Sequence, residues 1–126
     1  MVRSLVASAC LLVALAGPAL AGNTCVQPYA PTVPNGASAS KEEMLSAHDE
    51  VMAFIRASDN FQDCVILDIQ TQRAARERDQ KTLDPAIADE ATARISANQR
   101  EKERVGAEFN TAVQAYKAAH PTAPAH

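Results

Sequence analysis

Large apolar side chains are scarce in this chain and unevenly spread, which limits its fold more than any other feature. Beyond residue 21, Val, Ile, Leu, Met, Phe and Tyr supply 21 positions, and between Gln70 and Arg104 only Leu83, Ile87 and Ile95 qualify. A domain of roughly a hundred residues needs more than this to fill a globular interior. It is enough for a seam between helices.

The apolar positions keep helical spacing. Ser40-Lys41-Glu42-Glu43 reads as a capping box, and Met44, Ala47, Val51, Phe54, Ile55, Ser58, Phe61, Val65 and Ile69 then share one broad face. This predicts a first helix over residues 41–79, with Asp59-Asn60 as the place for a kink because both side chains compete for backbone hydrogen bonds. Asp84-Pro85 is a second start signal, Asp as N-cap and Pro at the first helical position. From there Ile87, Ala91, Ile95, Asn98, Lys102, Val105, Phe109, Ala112, Tyr116 and Ala119 alternate by three and four until Pro121. The second helix is therefore expected over 85–119, with Asn98 and Lys102 as polar interruptions that weaken a coiled-coil-like seam.

Two helices of similar length joined by a short turn make an antiparallel hairpin. With the turn centred near residue 82, Ile55 faces Phe109, Val51 faces Val113, His48 faces Tyr116 and Ser58 faces Gly106. Close approach at that last pair would explain a mid-helix glycine, which costs about 1 kcal/mol relative to Ala. The fold class is thus all-α, a long antiparallel two-helix hairpin over 40–120 with a flexible tail at 121–126. Ahead of it, residues 22–39 read as an extended arm, since Pro28, Pro31 and Pro34 recur with the period of polyproline II and Asn35-Gly36 marks a turn.

Residues 1–21 have the layout of a cleavable export signal: Arg3, an apolar run from Leu5 to Ala16, then Gly17-Pro18 before Ala19-Leu20-Ala21. The run is too short to span a bilayer core of about 30 Å, so no stable membrane insertion is expected after cleavage, and the location is periplasmic or secreted. Cys10 leaves with the signal. Cys25 and Cys64 remain in an oxidising compartment, where two cysteines usually form a structural disulfide; two separate thiols are the alternative. An extended arm from Cys25 to Lys41 reaches roughly 50 Å, and Cys64 lies about 35 Å up the first helix, so the arm can fold back and be pinned there.

The cysteine followed by Pro28, Pro31, Pro34 and Gly36, the segment Phe54-Ile55-Arg56-Ala57-Ser58-Asp59 leading to Cys64, and Ala97-Asn98-Gln99-Arg100-Glu101-Lys102-Glu103-Arg104-Val105-Gly106 with Phe109-Asn110 and Tyr116 to Pro121 carry a resemblance. Together they resemble small, uncharacterised exported helical proteins of alphaproteobacteria that have a Pro-rich arm and paired cysteines. The resemblance implies export and the cysteine pair, and it carries no chemistry across.

Function has to be argued from what remains. Beyond the leader the net charge is −4, which gives no support for nucleic-acid binding. The charge is polarised: Lys41 to Asp68 carries −5, whereas Arg73 to Arg104 carries +1. No serine or cysteine nucleophile has a base partner, and the pairs Glu42-Glu43 and Asp89-Glu90 are explained by helix N-termini, so neither an enzyme nor a cofactor is expected. His120 and His126 lack zinc-motif spacing; His120 is placed to cap the second helix. Met44, His48 and Met52 fall at i, i+4 and i+8 and would suit Cu(I) or Ag(I), the alternative being a packed seam with His48 hydrogen-bonded to Tyr116. Glu77 with Lys81 and Glu90 with Arg94 are spaced as helix ion pairs. The core-poor distal tip, with Arg73, Arg76, Arg78, Lys81, Arg100 and Arg104, is a candidate grip for a protein partner. The expected role is an exported binding or structural module. Soft-metal binding and a chaperone-like or accessory subunit are the alternatives, and two thin hairpins can also pair as a homodimer.

Overall fold

The computed structural model describes residues 25–122; residues 1–24, with the expected export signal and the start of the arm, and residues 123–126 with His126 lie outside it. Two helices make the frame, α1 (Lys41–Arg78, 38 residues) and α2 (Pro85–Ala119, 35 residues), packed as an antiparallel hairpin. Among the described residues no helix is long and apolar enough to cross a membrane.

Each helix begins where its sequence stops the backbone donors from going unpaired. Ser40 Oγ accepts from the Glu43 amide at 3.1 Å while Glu43 Oε2 accepts from the Ser40 amide at 2.7 Å. The Ser40 backbone bond, then the hydroxyl, hold the Glu43 carboxyl below its ordinary range. Asp84 Oδ1 accepts from the Ala86 amide at 3.0 Å ahead of Pro85. α1 runs unbroken through Asp59-Asn60, so the competing side chains do not interrupt it. It stops in a Schellman arrangement, with the Gln80 amide on Glu77 O, the Lys81 amide on Arg76 O, and Gln80 itself at φ 55°.

Two heptad rows on α1 are buried, and they have different partners. Met44, Val51, Ser58 and Val65 face α2, whose own buried row is Ala91, Asn98, Val105 and Ala112. Ala47, Phe54 and Phe61, the second buried row, lie toward the arm: Cys25 packs with Phe61 and Val65, and Ala30 and Val33 pack with Val51, Phe54 and Val105. The arm occupies the place a third helix would take in a bundle. It carries no regular secondary structure. Its eleven steps from Cys25 to Gly36 reach roughly 34 Å if extended, matching the roughly 30 Å between Cys64 and Met44 on α1.

The arm is fixed at both ends. At one, Cys25 is bonded to Cys64 with their Cα atoms 5.7 Å apart, and the loop so closed contributes on the order of 3–4 kcal/mol in the chain-entropy model. Arg94 adds to this, its Nη2 donating to Cys25 O at 3.1 Å and its guanidinium lying 5.3 Å from the centre of the Phe61 ring. At the other end, Asn35 Oδ1 accepts from the Ala37 amide and Asn35 O from the Ser38 and Ala39 amides, a turn that presses Gly36 onto α2. A Cβ on Gly36 would lie 1.8 Å from Ala112 O, so only glycine fits.

Several expectations need correction. Ser58 does not face Gly106 but Asn98, and Val51 packs with Val105 and not Val113, so α2 is displaced by about two turns from its place in a hairpin centred at residue 82, and the long Lys102 side chain reaches Asp59. The cause is the connection: Gln80 reverses the chain at once, and Lys81 to Leu83 run back beside Arg73 and Glu77 before α2 starts. A Cβ on Gly106 would meet nothing within 4 Å, so close approach of the two helices does not explain that glycine. Asn98 is not an unpaired interruption of the seam. It is fully buried and donates to Ser58 Oγ at 3.2 Å while accepting from Gln62 Nε2 at 2.9 Å, and no buried side-chain nitrogen or oxygen among the described residues lacks a partner.

Candidate partner-binding face

The arm covers one of the two grooves that run along an antiparallel helix pair, from Cys64 to the Gly36 turn, and leaves clefts of about 480 Å³ beside Gly36 and about 170 Å³ between Asp68 and Arg94 on that side. Leu45, Met52, Asp59 and Ile66 recur every seven residues, and at 100° per residue they lie about 160° around α1 from Ala47, Phe54 and Phe61. This row lines the other groove. Leu45 is 56% exposed, Met52 39% and Ile66 45%, a large apolar fraction for solvated helix positions.

Two apolar troughs make up this open groove. The one near the chain ends, about 360 Å³, is lined by Met44, Leu45, His48, Phe109, Val113 and Tyr116, with Lys41 and Lys117 at its mouth. The one toward the tip, about 240 Å³, is lined chiefly by Ile66, Ile69, Ala88, Ala91 and Ile95, with Arg73 on its rim. A polar rung separates them: Gln62 Nε2 donates to Gln99 Oε1 at 3.2 Å, and Lys102 Nζ donates to Asp59 Oδ1 at 2.5 Å. Gly106 sits beside the rung, one turn from Lys102 and from Phe109, with its missing Cβ opening into free space.

The residues singled out from the sequence divide differently. Met44 is buried against Ala39 and Ala112, whereas Met52 is on the surface and His48 pairs with the carboxylate of Asp49 at 3.1 Å. The three therefore split between seam and surface. His48 does not reach Tyr116 as its hydrogen-bond partner; its ring lies 6.0 Å from Phe109, and Tyr116 stacks on His120 at 4.2 Å. His120 Nδ1 donates to Tyr116 O at 3.0 Å at the end of α2.

The six basic residues do not form one tip. Arg73, Arg76, Arg78 and Lys81 are exposed around the turn, but Arg100 and Arg104 stand roughly 22 and 28 Å along α2 from Pro85. Arg104 is also committed, donating to Glu101 and Glu108; these bonds raise its pKa and hold the Glu101 carboxyl below its ordinary range. Lys81 lies past the end of α1 and makes no ion pair with Glu77, and Arg94 is turned to the arm instead of Glu90. The tip is nonetheless thin, since the last buried residue of α1 is Val65 and the first of α2 is Ala91. Sequence reasoning missed the open groove because it followed one apolar face per helix; the seven-residue recurrence of Leu45, Met52 and Ile66 was the available signal.

Comparison with known proteins yields no match, whether to a protein-family model, a curated protein or a solved structure.

Proposed function

We propose that this protein is an exported helical-hairpin binding module whose open groove receives a helical protein surface. The observation that carries this is the asymmetry of the two grooves. One is covered by the arm between Cys64 and the Gly36 turn, and the other is uncovered along its whole length, with an apolar trough on either side of a polar rung. Apolar stretches flanking a central polar rung suit an amphipathic helix, where the troughs provide burial and the rung sets register. The leader-like residues 1–21 and the cysteine pair support work in an oxidising compartment outside the cytoplasm. The basic turn at Arg73, Arg76, Arg78 and Lys81 would supply a charged margin at one end of that surface.

The test is native size-exclusion chromatography of the exported fraction, with wild type compared with a variant carrying Leu45→Glu, Met52→Glu and Ile66→Glu. These side chains are exposed, so the free fold should survive. Wild type should elute in a larger assembly and the variant at the size of the lone chain. Identical elution of both as lone chains would remove the reading.

A further inference from the structure

Resting on that reading, we infer that the occupant of the open groove is a second copy of this chain, related by a two-fold axis running along the hairpin. The placement of the polar rung carries the argument. Asp59 is at the midpoint of α1 and Lys102 at the midpoint of α2, so the rung divides the groove into two equal halves. With the axis along the hairpin, α1 of one copy lies over α2 of the other at the same height. Asp59 then meets the second copy's Lys102, and Lys102 its Asp59, which turns one ion pair into a closed square of alternating charges. The apolar troughs also meet themselves: Leu45 reaches the second copy's Val113 and Tyr116, and Ile66 its Ile95.

Charge selects this arrangement over the head-to-tail one. An axis across the hairpin would lay α1 on α1, setting Asp59 against Asp59, Lys102 against Lys102 and residues 50–68, which carry a net −3, against themselves. An axis along the hairpin sets that acidic stretch over α2, whose charges balance. Like charges placed opposite each other cost specificity heavily.

Area and shape agree with it. The open face is about 50 Å long and about two helix diameters wide, an upper bound of roughly 1,000 Å² per copy, against about 800 Å² per partner in a standard specific interface. Gly106 acquires a role as well. A second α1 lying over α2 passes the bare Cα of Gly106 near Met52 and Ile55, and the missing Cβ lets the helices approach there. The interface is short of large residues, so dissociation in the micromolar range is expected.

The experiment uses purified full-length mature protein with the bridge intact, studied by sedimentation velocity over a concentration series. Wild type should pass from monomer to dimer. Met52→Glu should raise the dissociation constant more than tenfold, with helicity by circular dichroism unchanged. Asp59→Lys alone and Lys102→Asp alone should each be monomeric, but an equimolar mixture should form a heterodimer, because each then supplies what the other repels. Lysine cross-linking of mixed heavy and light protein should join Lys81 to Lys81 between copies; joins from Lys81 to Lys41 or Lys117 would overturn the axis. A wild type that stays monomeric at high concentration would overturn the dimer. If the exported fraction still held the chain in a larger assembly, the binding-module reading would stand with a different occupant.

Discussion

The two glycines of the hairpin make opposite predictions for the same substitution. At Gly106 an added methyl group enters open space, so Gly106→Ala only improves helix propensity and should stabilise dilute monomer by about 1 kcal/mol. For a domain of this size that is a rise in Tm of about 4–8 °C. At Gly36 the added Cβ would sit 1.8 Å from Ala112 O and 2.6 Å from its carbonyl carbon, both backbone atoms of a packed helix that cannot swing aside. To restore an ordinary contact near 3.4 Å the turn must lift by roughly 1.5 Å, taking Val33 and Ala39 away from Met44 and Ala112. Overpacking of this kind costs about 1–3 kcal/mol, so Gly36→Ala should lower Tm by at least as much as Gly106→Ala raises it. Urea and thermal unfolding, followed at 222 nm on oxidised protein, measure both. A neutral Gly36→Ala would mean that the arm does not seat on α2, and a destabilising Gly106→Ala would mean that something within the chain packs there.

Other consequences are equally specific. Asn98→Leu should destabilise by about 1–3 kcal/mol by stranding the buried Ser58 hydroxyl, and Ser58→Ala in the same chain should recover most of the loss in urea unfolding. Arg94→Met should cost on the order of 1–2 kcal/mol through the Cys25 carbonyl and the Phe61 ring, and a double-mutant cycle with Cys64→Ser should show the two coupled. Ser40→Ala should cost about 1 kcal/mol. Because the folded Glu43 carboxyl lies below its ordinary value of 4.5, the carboxylate's part of the cap is fully present above that pH and is lost as pH falls through the folded value; acid titrations of wild type and Glu43→Gln should therefore approach each other at low pH.

What could be read in advance was whatever depends on neighbours along the chain. The capping box at Ser40, the Asp84-Pro85 start and the buried row Met44, Val51, Ser58, Val65 are local patterns, and a chain with two such helices and little else apolar has few folds open to it. What could not be read depends on how the turn closes. Gln80 in a left-handed conformation carries no sequence signal as glycine would, yet it shifts the register and gives Asn98 its partners in Ser58 and Gln62. The i, i+4 spacing to Glu90 puts Arg94 on a solvated face, whereas its bond to the carbonyl of Cys25, 69 residues away, leaves no mark in the sequence. The arm likewise obscured the site: Phe54 and Phe61 fit a helix–helix seam, and only their pairing with the arm reveals that the opposite groove is left open.

The central claim, one groove covered by the arm and one occupied by a partner, is tested most directly by hydroxyl-radical footprinting with mass spectrometry. Purified protein diluted to nanomolar concentration should be compared with the same chain in an extract of the cells that produce it. Phe54 and Phe61 should be protected in both samples, and Tyr29, 96% exposed on the arm, should be labelled in both. Leu45, Met52 and Ile66 should be labelled in the dilute protein and protected in the extract. Equal labelling of those three residues in the two samples, or strong labelling of Phe54 and Phe61 in either, would contradict the account.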